Sequence, residues 1–506
     1  MIELNKNVVI LFYPKPWPGE NRGRIPYALL YLERMIRNMG LEIILIDEQT
    51  QADYLPMIEK VKQRLFLVCV SAMTGYQITG AVKFSKIIKN CSQAKVVWGG
   101  WHATLLPEQT LAEDYVDFVI KGQGENALFN LLKNLLEQTD IRQIKSLAYK
   151  QAGTVAVNEM DKFVDIKQFP KINYQLININ DYVFKSVYAD RCIGYFSSHG
   201  CPFNCAFCCV AEVYGHRWFN KEITEIIQDL KYFKTVARID SVTFDDDNFF
   251  VNKDFTLKLC QAMIASDLNL KWDTSAHAAL FLRLFNDEEI DLIYRAGCRQ
   301  IYVGAESGDQ DILDLIDKKS KVEDNLNFVK VLNAHKITPL FSTMLCFPVD
   351  PDRDIKLTLD MIRRAKLIDK TLRARLFFYT PYPGTALYQR SIAKGLIPPD
   401  KLEDWANYTL RKFRAPWWTR DYRWEVEVFA NFYLPLANPE FYKLVPSEFR
   451  PIVYVINKIF YPVVHLRFKY NFLKFPGEAY LFLASLRLFN KIFKTKFALG
   501  YESYLN

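Results

Sequence analysis

Cys201, Cys205 and Cys208 stand at C-x3-C-x2-C in the run HGCPFNCAFC, and no other feature constrains the chain as tightly. Three thiolates at this spacing wrap one face of a four-iron cubane, yet such a cluster needs a ligand on every iron. One iron is left for a ligand that is not protein. A zinc site would show two C-x2-C pairs or a nearby pair of histidines, and no second pair is present. Cys209 does not easily turn onto the same face and reads as packing.

Around that loop the chain reads as two stretches of alternating strands and helices. The first holds short apolar runs at 8–12, 42–46, 65–70, 95–98 and 117–120, separated by amphipathic stretches such as 27–38 and 76–89. Five strands interleaved with helices predict an open parallel, Rossmann-like α/β sheet, with ligands beyond the carboxyl ends of the strands. Weak strands follow at 146–150 and 154–158, in what reads as a connector. From 191 the alternation resumes, at 194–198, 223–235, 241–244, 254–266, 300–303, 322–335, 340–346 and 375–379. That pattern predicts a closed or partial (β/α) barrel, with its chemistry at the C-terminal strand ends. Residues 400–506 are aromatic, basic and predicted to be mostly helical. A chain of 506 residues needs two or three domains. The expected division is 1–145, 146–190, 191–395 and 396–506.

Polar turns fall where a ligand of the first sheet would sit. Ser71 and Thr74 follow the third strand, Gly99, Gly100 and His102 the fourth, and Gly122, Gly124 and Glu125 the fifth. Glycines there let the backbone approach a bulky ligand. A generic nucleotide module is disfavoured, since neither G-x-G-x-x-G nor a Walker A run occurs. In the second stretch, Asp245-Asp246-Asp247 closes a strand, Gly304-Ala305-Glu306-Ser307-Gly308 follows another, and Pro381-Tyr382-Pro383-Gly384-Thr385 forms a late turn.

The cysteine loop resembles that of the radical SAM superfamily, down to the aromatic Phe207 before the last cysteine. G-x-E-S and P-Y-P-G-T resemble segments of the subfamily with an attached cobalamin domain, and GGWHATLLPE with VDFVIKGQGENA is similar to that domain itself. The resemblance implies a 4Fe-4S cluster on Cys201, Cys205 and Cys208, with S-adenosyl-L-methionine on the open iron. It implies methionine-side contacts from Asp245, Asp246 and Glu306, and cobalamin on the N-terminal turns. The D-x-H-x-x-G motif of other cobalamin proteins is absent and His102 has the wrong context for it, so the cobalt's lower face is expected to lack a histidine. Cys346-Phe347-Pro348-Val349-Asp350 departs from the family's glycine-rich turn, which leaves that loop's role open. Methylthiotransferases are excluded, because residues 1–190 hold only Cys69 and Cys91.

The implied activity is radical methyl transfer to an unactivated carbon of a hydrophobic, lipid-like or tetrapyrrole-like substrate, with an electron donor such as flavodoxin or ferredoxin as partner. Ring formation with the same cofactors is the alternative, and a non-catalytic iron–sulfur sensor the alternative of another class. Ten cysteines at irregular spacing and the absence of a signal-peptide pattern fit a reducing cytosol. Of the net charge of +8, an excess of seven falls in residues 441–506, where ten Lys and Arg face three Glu. No run reaches the roughly 18 uncharged apolar residues that a spanning helix needs. The tail reads either as an amphipathic basic surface at the inner face of a membrane or as a cover for the barrel. Nucleic acid is disfavoured, because the basic residues are mixed with large aliphatics.

Overall fold

The computed structural model describes residues 6–17, 23–151, 153–409, 413–444, 449–472 and 476–493. Its first sheet has seven strands: β1 (Val8–Tyr13), β2 (Glu42–Asp47), β3 (Leu65–Ser71), β4 (Lys95–Gly99), β5 (Phe118–Ile120), β6 (Leu147–Gln151) and β7 (Thr154–Val157). They lie in the order β2-β1-β3-β4-β5-β6-β7. The first five are parallel, and β1 and β3 (VVILFY, LFLVCVS) are almost wholly buried, as strands covered on both faces must be. The two weak strands of the expected connector pair antiparallel onto this sheet's edge as β6 and β7. The order reverses between β1 and β3, which opens a crevice beyond their carboxyl ends.

The second sheet is a six-stranded parallel half-barrel, the partial barrel expected from the alternation. Its strands are β8 (Cys192–Tyr195), β11 (Ser241–Phe244), β12 (Lys271–Ala276), β13 (Cys298–Glu306), β14 (Thr338–Leu345) and β15 (Arg373–Phe378), in chain order from one edge to the other. Helices such as Val322–Ala334 and Pro351–Ile368 pack against its strands. The single strand expected at 194–198 is broken in two. After β8 the chain turns at Ser197 and runs as β9 (Ser198–Gly200), paired antiparallel with β10 (Trp218–Asn220). The buried carboxylate of Asp246 forces the turn by accepting from Ser197 N at 2.7 Å, Ser197 Oγ at 2.5 Å and Ser198 Oγ at 2.6 Å.

The C-terminal segment returns to the first domain. Trp405, 1% exposed, donates from its indole nitrogen to Gln109 Oε1 at 2.7 Å, and Glu403 pairs with Lys86 at 2.9 Å. Gln109 Nε2 donates to the carbonyl of Pro399 at 2.8 Å. Beyond this clamp the described chain is mainly helical, ending in the pair Arg450–Lys469 and Gly477–Phe493.

Candidate functional site

The hairpin β9–β10 presents the cysteine loop, and three distant segments hold it in place. Ala206 donates its N–H to the carbonyl of Ile316 and accepts from Leu387 N, both at 2.8 Å. The ring of Phe203 lies parallel to that of His277, with centroids 4.3 Å apart. His277 in turn bonds the Lys318 carbonyl through Nε2 at 2.6 Å. Burial pushes the thiols of Cys201, Cys205 and Cys208 above the ordinary cysteine range. At Cys201 and Cys205 the ammonium of Lys318 works the other way, and it is the cation that favours thiolate there. Among the described residues no three His, Cys, Asp or Glu gather around one point as ligands of a single ion must. A cubane makes a different demand, one thiolate per iron, and three neighbouring cysteines on one loop meet it.

Lys318 is a site residue that the sequence did not reveal. Its ammonium pairs with Glu306 at 2.7 Å, with both side chains about nine-tenths buried. Burial opposes that charge, but Glu306, Cys205 and Cys208 outweigh it and hold the ammonium's pKa above that of an ordinary lysine. Glu306 follows a bulge in β13 and has φ +55°, an unfavourable conformation for a non-glycine residue, which turns its carboxylate onto Lys318.

The three aspartates after β11 have three different environments. Asp246 is the clamp on the β8–β9 turn, with both oxygens engaged and its carboxyl pushed up to about 6 by burial. The methionine-side contact expected of it is therefore not what its geometry serves. Asp247 accepts from Gly200 N at 2.8 Å and interacts with Cys201 and Cys208, so it is the triplet's carboxylate on the cysteine side. Asp245 lies 3.6 Å from Arg24.

Between the carboxyl ends of the first sheet and the cysteine loop lies a cleft of about 170 Å³ that opens to solvent. Ser71, Gly99, Gly100, Gly122, Gly124 and Glu125 line it from the sheet, and His199, Val213 and Tyr214 from the loop. Two of these glycines differ in kind. Gly100 has φ +88°, and a Cβ there would stand 2.7 Å from the carbonyl oxygen of Ala72, so packing alone requires glycine. A Cβ on Gly99 would meet nothing closer than Ile120 O at 3.6 Å, so the bare backbone there leaves the cleft, not the fold, its room. Thr104, inside the motif but not among the expected contacts, ties the two loops together. Its hydroxyl donates to Gly100 O at 2.7 Å and accepts from Gly122 N at 3.0 Å. The bare glycine backbone on its sheet side is the kind of surface against which a flat, bulky ligand such as cobalamin lies.

Two expected contacts fall outside the cleft. His102 is fully buried, its Nδ1 bonds Thr74 Oγ1 at 3.0 Å, and its ring lies edge-on to Trp405. Burial lowers its pKa to about 3, so it is a neutral packing residue of the clamp, and Thr74 is its partner. Glu125 does line the cleft, but Arg34 already engages it at 2.8 Å, with both side chains buried. His199 enters from the barrel side and bonds Tyr31 OH through Nε2 at 2.8 Å.

Residues 195–362 match the Radical SAM superfamily and residues 25–132 the B12 binding domain. The chain is 28% identical over 391 residues to an uncharacterized methyltransferase of Pyrococcus horikoshii, covering 76% of this chain and 81% of that protein. It is 26% identical over 302 residues to an anaerobic magnesium-protoporphyrin IX monomethyl ester cyclase of Cereibacter sphaeroides, covering 58% of this chain but only 48% of the cyclase. It is 22% identical over 368 residues to a hopanoid C-3 methylase of Methylococcus capsulatus, covering 71% of this chain and 67% of the methylase. The solved structure of the cobalamin-dependent S-adenosylmethionine radical enzyme OxsB with aqua-cobalamin shares the fold, with a TM-score of 0.71 over 96% of this chain and 76% of that one, at 15% identity.

Proposed function

We propose that this chain, which belongs to the radical SAM enzymes that carry a B12-binding domain, is a methyltransferase acting on an unactivated carbon. One observation carries the reading: a single stretch, His199–Tyr214, holds the cysteines and also forms one wall of the glycine-backed cleft. Methyl transfer by two cofactors needs the two sites to be neighbours, and this shared wall supports that arrangement. When bound, the cluster with S-adenosylmethionine supplies one-electron cleavage and a hydrogen-abstracting radical, and cobalamin supplies the methyl group.

Cys201, Cys205 and Cys208 would hold the cluster, and Lys318 offsets the negative charge of their thiolates. Asp247 and Glu306 are carboxylates that act on the cysteines of that loop and would meet the methionine end of S-adenosylmethionine. Ser71, Gly99, Gly100 and Gly122 would receive the corrin through backbone and small side chains. Residues of the loop and the barrel mouth would have to exclude water, because a primary radical is quenched by any accessible hydrogen donor.

The half-barrel interior bears on the substrate. Arg375 on β15 donates to Tyr302 OH at 3.4 Å, and its Nε has no partner among the described residues. Across the sheet, Asp273 on β12 is held by Tyr188 and Thr243, and burial pushes its carboxyl up to about 8 against the pull of Arg375 and Arg373. A substrate with an apolar body and an anionic group suits this interior better than a pure hydrocarbon. Ring formation is the second reading, favoured by the likeness to the cyclase. An electron donor such as flavodoxin or ferredoxin is required in either case.

The test is anaerobic reconstitution with iron, sulfide and hydroxocobalamin, then reductant and methyl-labelled S-adenosylmethionine. Methyl transfer predicts 5′-deoxyadenosine, S-adenosylhomocysteine and cobalamin retained through gel filtration. Release of 5′-deoxyadenosine without S-adenosylhomocysteine would favour ring formation, and no 5′-deoxyadenosine at all would leave only a sensor.

A further inference from the structure

We propose that the C-terminal helix pair docks on an anionic lipid bilayer. The inference stands apart from the choice between methyl transfer and ring formation. A helix at a protein surface ordinarily has one apolar stripe, turned to the core. Arg450–Lys469 has two. On one side Val453, Val464 and Phe468 are buried, with Phe468 stacked on Phe429 at 5.9 Å. On the other side Ile452, Val455, Ile459, Val463, Leu466 and Tyr470 are 56, 55, 60, 42, 53 and 69% exposed. They recur every three or four residues, so they form one continuous face rather than scattered exposures. Leu481 and Leu488 of the neighbouring helix are 73% and 59% exposed.

Charge decides what covers this face. Residues 449–472 contain Arg450, Lys458, Arg467 and Lys469 and no acidic residue; Glu478 of the neighbouring helix pairs with Arg467, and the exposed Lys458 and Lys469 lie beside the apolar face. A second copy of the chain would set cation against cation, whereas an anionic bilayer complements both the charge and the apolar stripe. Tyr454, Tyr470 and Phe472, all exposed, are of the aromatic type that settles at headgroup depth. Among the described residues no helix is long and apolar enough to cross a membrane, so the contact is interfacial.

Flotation of the full chain with phosphatidylcholine vesicles, with and without phosphatidylglycerol, tests this at low and high salt. Binding to the anionic vesicles is expected, weakening as salt rises. The double variant Ile459→Asp, Val463→Asp should lower partitioning at least about tenfold, with circular dichroism and elution volume unchanged. Should that variant fold poorly, Lys458→Glu with Lys469→Glu should lose binding to anionic vesicles at low salt. No vesicle binding by the parent chain would overturn the proposal. So would undiminished binding by folded variants, or a parent dimer that the apolar-stripe substitutions dissolve.

Discussion

Lys318 and Glu306 form a buried pair of opposite charges beside three cysteines, and removal of either partner strands the other. Lys318→Met should therefore cost about 3 kcal/mol of stability in urea unfolding, and adding Glu306→Gln to it should recover a large part. Asp246 makes a different prediction, in pH. Its folded carboxyl binds a proton up to about pH 6, above the ordinary value of 3.8. The folded state thus holds more protons between those two values, and stability falls as pH rises across that window and is level above it. Asp246→Asn should abolish this contribution to the slope. It should also lower the iron bound on reconstitution, because the amide keeps one acceptor oxygen where the turn before the cysteine loop presents three donors to two. Cys201, Cys205 and Cys208 were legible in the sequence because their chemistry fits within eight consecutive residues. Lys318 and the clamping role of Asp246 were not, since the partners that define them lie 12 and 49 residues away.

Among elements, the loop after β4 separates two functions that the sequence merges in Gly99-Gly100. Gly99→Ala should leave thermal stability within about 0.5 kcal/mol and weaken cobalamin retention about tenfold, read by equilibrium dialysis. Gly100→Ala should damage both, because the added methyl strikes the backbone of Ala72 and φ is unfavourable. The first sheet's five parallel strands could be read because each is a nearly unbroken apolar run. β12 was missed for the opposite reason: KWDTSA turns Asp273 and Ser275 to a polar barrel interior, so neither an apolar run nor an alternation marks it. His102 and Thr74 were misread as cleft residues because their motif neighbours do face it. The helix Trp101–Leu105 turns His102 toward Trp405 instead, and Thr74 is bonded to His102.

Over the whole molecule, the segment 399–409 fastens the two α/β domains to each other. Trp405→Ala should cost about 4 kcal/mol, the range for a large aromatic removed from a core, and should lower the melting of both domains. Calorimetry of the parent chain should show their unfolding coupled in one transition, which the variant splits or broadens. The fastening also has a consequence during synthesis. Gln109 and the Pro399 carbonyl that it binds are 290 residues apart. At translation rates of about 5–20 residues per second, the N-terminal domain would wait roughly 15–60 s for its clamp to emerge. For that interval the packing surface around His102 and Gln109 is open to water on the ribosome, and the newborn domain is a natural client for chaperones before it can be a receptor for cobalamin.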